Sequence, residues 1–200
     1  HHAFFGCKKL NFAGFTEALA EVGDFAFAEC SSLAPSLTQL WSLQGAVGNN
    51  AFENCRLLDV DISLCAGLHT IGDNAFAGCH SLTMPHGLPA HMEHIGAHAF
   101  HGCSKLILNR LPIMLISIGQ SAFQDCVNLQ ITALPETVKY IGSRAFDGVP
   151  NVQRLPRIAR IRAMARNIAV GADVLLAIAR EETKRFVYDV ARFVSRGQVL

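Results

Sequence analysis

The chain has 200 residues, half of them apolar and only 16% charged, with a net charge of +1. That composition provides for a large buried core and excludes a disordered, solvated chain. The near-zero balance hides an asymmetry, because residues 1–150 hold 7 Lys/Arg against 12 Asp/Glu and residues 151–200 hold 10 against 4. The two parts therefore differ in surface chemistry, which sets residues 1–156 apart from a basic segment over 157–200.

From its first residues the chain repeats itself. Ala-Phe recurs at Phe4, Phe27, Phe52, Phe76, Phe100, Phe123 and Phe146, at spacings of 23, 25, 24, 24, 23 and 23 residues. A cysteine follows three places after six of these rings, at Cys7, Cys30, Cys55, Cys79, Cys103 and Cys126, and a leucine three places further at Leu10, Leu33, Leu58, Leu82, Leu106 and Leu129. A branched residue plus glycine precedes every copy but the first, as at Ile71-Gly72 and Ile95-Gly96. Self-similarity at this period means stacked coils, each burying the apolar residues of its neighbours. The cysteines read as a buried column of thiols, with Cys65 off the repeat position. Their odd number argues against paired disulfides, and the lack of any Cys-x-x-Cys pair argues against zinc.

Within a unit, Leu129 and Ile131 alternate with polar residues, so the segment after each cysteine is expected to be a short strand. Leu111-Pro112 and Leu134-Pro135 then end ladder growth, since proline has no amide hydrogen. Glycine after the branched residue is expected to permit a tight corner. The stretch after Cys30, with Pro35, Leu37, Leu40 and Trp41, departs from this pattern, and so does Ser63-Leu64-Cys65. The last copy degrades, with Val149 for cysteine and Val152 for leucine. Beyond Pro156, Ile158, Ile161, Ala165 and Ile168 share one helical face. Leu175, Ala179, Phe186, Val190 and Phe193 share another, so residues 157–200 read as a two-helix C-terminal cap.

The pattern Ile-Gly-x-x-Ala-Phe-x-x-Cys-x-x-Leu followed by Leu-Pro resembles the BspA-like class of leucine-rich repeats, over about residues 3–156. The resemblance implies an α/β repeat solenoid, a right-handed coil with short parallel strands. It also implies a non-catalytic protein-binding role, often on microbial or protist cell surfaces. The residues agree on chemistry: no Gly-x-Ser-x-Gly and no phosphate-cradling glycine loop is present, and neither an enzyme nor a cofactor is expected. Six histidines crowd one stretch, at His80, His86, His91, His94, His98 and His101. They fall on variable, solvent-facing repeat positions, and they are read as surface residues rather than a metal centre.

The expected partner is a protein or glycan held on the outward residues of the post-cysteine segments. Those are Asp59, Thr83, Ile107 and Gln130 in one column, and Asp61, Pro85, Asn109 and Thr132 in the next. The alternative is an intracellular scaffold whose basic tail, with Arg154, Arg157, Arg160, Arg162 and Arg166, docks to an acidic partner, a membrane or, less favoured, nucleic acid. The chain opens with His in mid-repeat and reads as a piece of a longer protein. An upstream leader would place it at the cell surface, and its lack would place it in the cytoplasm.

Overall fold

The computed structural model describes residues 1–10, 20–33, 43–150 and 152. The segment around Trp41 and the expected helices of residues 157–200 lie outside the described residues. Five short parallel strands form one sheet in chain order: β1 (Gln44–Val47), β2 (Gly67–Ile71), β3 (His94–Ile95), β4 (Ser117–Ile118) and β5 (Tyr140–Ile141). Val47, Ile71, Ile95, Ile118 and Ile141 sit opposite one another in register, and a single bridge extends the row to Val22. Among the described residues, tight turns rather than helices complete each coil.

The strands thus occupy the segment before the glycine corner, not the one after the cysteine where sequence alternation placed them. Both segments are extended, but only the first finds continuous partners. After the cysteine the ladder is broken by side chains and proline: the Asp59 carboxylate, not a backbone carbonyl, takes the Thr83 N–H at 2.9 Å. Isolated backbone bonds survive there, from Ile107 N–H to the Thr83 carbonyl and from Gln130 N–H to that of Leu108, each at 3.0 Å.

The core is a set of columns. Six successive phenylalanine pairs from Phe4 to Phe146 stack with ring centroids 5.1–5.5 Å apart and planes within 13°. Strand spacing of about 4.8 Å sets this repeat, and an offset of the rings accounts for the slightly longer centroid distance. Beside them runs a thiol ladder: Cys30, Cys55, Cys79, Cys103 and Cys126 each direct Sγ at the carbonyl of the phenylalanine one coil earlier, at 3.0–3.1 Å. Each of these carbonyls also accepts the N–H of the cysteine three residues on in its own coil, so the thiols fill a second acceptor position and tie successive coils together. The leucine column of Leu33, Leu58, Leu82, Leu106 and Leu129 is buried alongside.

The corner glycines are needed for space rather than for backbone angle. A Cβ on Gly119 would lie 2.4 Å from the Ala97 nitrogen and the Gly96 carbonyl carbon of the preceding coil. The left-handed backbone lies elsewhere, two and six residues past each corner. Asn50 and Asn54 occupy those places in one coil, Asn74 and Gly78 in the next, then His98 and Gly102. Asparagine and glycine tolerate that conformation best, which is why they collect there.

Two expectations follow. Gly119→Ala should cost about 3 kcal/mol or more, since the backbone of the neighbouring coil must move. Gly102→Ala has open space, with only the His80 ring 3.8 Å away, and φ of +72°; it should cost about 1 kcal/mol from strain alone. Urea unfolding of both variants checks the ranking. Of the seven cysteines only Cys7 is exposed, and burial pushes the Cys55 and Cys126 thiols up to about 12. A colorimetric disulfide reagent at pH 8 should therefore modify one thiol in the folded chain and all seven in denaturant.

Candidate interaction surface

Each extended segment after a cysteine alternates inward and outward. Val60, Ile62, Met84, Leu108 and Ile131 are buried. Between them Asp59 and Thr83 are half-buried, while Asp61, Pro85, Ile107, Asn109, Gln130 and Thr132 are exposed. Every residue expected on the outward columns thus stands at the surface, on successive coils of one flank. Asp59 and Thr83 are joined directly, the Asp59 carboxylate accepting both the Thr83 N–H and its hydroxyl at 2.9 Å. Asp61 reaches one residue past Pro85 and meets the His86 ring at 2.5 Å. Burial alone would raise the Asp61 carboxyl, but the bonds from Ser63 and His86 outweigh it and hold it below the usual carboxylate range.

This flank is not uniform, because its coils differ by one residue. Five residues separate Leu82 from Leu88, whereas four separate Leu106 from Leu111 and Leu129 from Leu134. The extra residue is taken up in a turn closed by the Gly87 N–H on the Met84 carbonyl at 2.9 Å, with both residues left-handed. The turn brings His86 back to Asp61. A groove of about 560 Å³ opens there, with His86, Pro85 and Leu88 on one side and Ile107, Arg110, Leu111 and Ile113 on the other. Pro85, Ile107 and Asn109 of this region were expected from their columns. Arg110 and Ile113 were not, and the only signal for them was the unequal Leu-to-Leu spacing.

The histidines mostly tie one coil to the next. His80 Nδ1 lies 2.9 Å from the Gly102 carbonyl, His94 Nδ1 lies 2.8 Å from the Ser117 hydroxyl, and His69 Nδ1 lies 3.2 Å from the His91 carbonyl. His101 Nε2 is 3.6 Å from the Asp125 carboxylate. Among the described residues no three His, Cys, Asp or Glu side chains gather as a metal ligand set.

The geometry defines a class, a solenoid of short parallel coils joined by a ladder on one side and stacked rings within. The chain belongs to the BspA-type leucine-rich repeats: the BspA type leucine rich repeat region matches in six copies, over residues 1–84 and 45–163. Among solved structures it is similar to a leucine rich cell surface protein from Faecalibacterium prausnitzii A2-165, at 25% identity and a TM-score of 0.56. That match covers 70% of this chain and 42% of the other, so this chain spans less than half the length of that relative. It is also similar to the T. pallidum leucine-rich repeat protein, at 28% identity and a TM-score of 0.47, covering 75% of this chain and 77% of that one. A leucine-rich repeat protein from Bacteroides ovatus ATCC 8483 matches at 18% identity and a TM-score of 0.45, covering 72% of this chain and 50% of that one. No curated protein sequence matches.

One histidine carries a pH prediction. The His98 imidazole is half-buried and stands edge-on to His101 at 5.8 Å. Burial first, then the His101 charge, hold it below the ordinary 6.5; Asp73 pulls the other way, and Arg144 adds the smallest lowering effect. The unfolded chain therefore binds this proton more readily than the folded one, so stability should fall as pH drops below about 6.5. His98→Asn keeps a residue tolerant of φ near 55° and removes the proton site. Its melting temperature should lose less between pH 7 and pH 5 than that of the parent chain.

Proposed function

We propose that the chain is a non-catalytic interaction module that holds a partner protein on the flank bearing Asp59, Asp61, Thr83, Ile107, Asn109, Gln130 and Thr132. The observation that carries this reading is the run of outward residues on successive coils. Their chemistry varies freely while the buried residues between them stay apolar. A rigid array of that kind offers a preordered surface, so little ordering entropy opposes binding. Leucine-rich repeat proteins generally bind other proteins, and one relative of known structure is described as a cell surface protein. Display at a cell surface, as an adhesin-like part of a longer protein, is the setting that fits both.

The test is binding of the whole chain to a panel of purified extracellular proteins and to a glycan array. Asn109→Arg and Thr132→Arg should each weaken a bound protein about tenfold or more, since a bulky charge would enter the contact. Thr70→Arg, on β2, should leave binding within about twofold. Loss of binding through Thr70→Arg with the two flank variants intact would move the site to the sheet. Binding only to glycans would replace the protein partner. Binding retained by residues 157–200 alone, and lost at moderate salt, would favour the basic-tail scaffold instead.

A further inference from the structure

The groove beside His86 narrows the partner to a chemical class, an inference that rests on the flank being the binding face. Its floor is apolar, with Leu88 and Leu111 buried beneath it. Its rim holds two aliphatic side chains that the fold leaves in water, Ile107 at 43% exposure and Ile113 at 70%. A concave, mostly apolar recess with a few polar groups at its edge is the common form of a binding site. The recess has a structural cause, the extra residue that leans His86 onto Asp61. That contact also engages the Asp61 carboxylate.

What remains charged is cationic. Arg110 is exposed on the groove wall, and among the described residues no ion pair involves it. It stands out in a region that is otherwise acidic, 12 Asp/Glu against 7 Lys/Arg over residues 1–150. The backbone ladder between the two coils is interrupted here. Among the described residues no backbone hydrogen bond joins Pro85–Gly87 to Asn109–Arg110, although the coils are tied just before, from Ile107 to Thr83. The lining has no tryptophan, tyrosine or phenylalanine on which a sugar ring could stack.

We propose that this groove binds an extended peptide segment of the partner protein, one that sets a branched apolar side chain on the Leu88–Leu111 floor and a neighbouring carboxylate on Arg110. The guanidinium then makes a paired, charge-assisted contact with the carboxylate oxygens. The apolar side chain covers Ile113 and Ile107, and the backbone of Asn109–Arg110 on the facing wall pairs with the peptide as an added strand. The requirement is local, since it needs two adjacent side chains of defined type and no particular fold around them.

The experiment uses the full chain, isotopically labelled, titrated with the acetylated, amidated peptide Ser-Leu-Glu-Leu-Ser and with its Ser-Leu-Lys-Leu-Ser counterpart. Amide shifts should concentrate at Ile107 to Ile113 with the glutamate peptide and be at least about tenfold weaker with the lysine peptide. Arg110→Glu, a surface change that leaves the core untouched, should reverse the preference. Ile113→Asp should weaken both peptides. Equal response to the two peptides, shifts mapping away from the groove, or an unaltered preference in Arg110→Glu would each overturn the assignment. Failure here is separable from failure of the flank itself. Partner binding lost in Thr132→Arg but kept in Arg110→Glu leaves the flank standing and removes the groove, whereas loss in neither removes the flank.

Discussion

The structure depends on equivalent side chains of successive coils lying directly over one another. Strands in a parallel ladder are about 4.8 Å apart, and a phenyl ring is thin enough to repeat at that interval. The phenylalanine column fills the space with no mismatch in size from coil to coil. Everything else in the repeat follows from the same interval. Corner glycines have no room for a Cβ, because the neighbouring backbone is within 2.3–2.8 Å of where it would stand at Gly48, Gly72, Gly96, Gly119 and Gly142. Cysteine fits beside the rings because it is small, apolar enough to bury, and still able to donate to a carbonyl.

Much of this was legible in the sequence, and the part that was not has a physical explanation. Spacing alone located the Phe, Cys and Leu columns, since burial in a stack forces one residue type to recur at one place. Alternation correctly separated Val60 and Leu108, inside, from Asp61 and Asn109, outside. It could not say which of two extended segments would form the sheet, because alternation reports which way side chains face and not where backbone N–H groups find partners. That was decided by details such as Asp59 capping Thr83. The corner glycines were correctly marked but for the wrong reason, as only a stacked structure shows that crowding, not backbone angle, demands them.

The candidate surface divides in the same way. Its columns came from periodicity, which a sequence shows well. The groove came from a break in periodicity of a single residue, together with the direction in which one turn leans. A one-residue excess is visible in the chain, but the swing of His86 toward Asp61 is a three-dimensional choice. Arg110 therefore looked like any other solvated charge until the space beside it was known.

The thiol ladder has a direction. Each sulfur points at the coil before it, as do the corner N–H groups of Gly48, Gly72 and Gly96, while the Phe27, Phe52 and Phe76 N–H groups donate to the coil after. The array is accordingly a polar filament segment, with a different set of donors and acceptors on its two end faces. Two such arrays cannot join head to head and keep these bonds. In-line addition of entire coils preserves them, so a gene encoding this protein can lengthen or shorten the stack by duplicating whole repeats, while single-residue changes are taken up in turns such as Met84–Gly87.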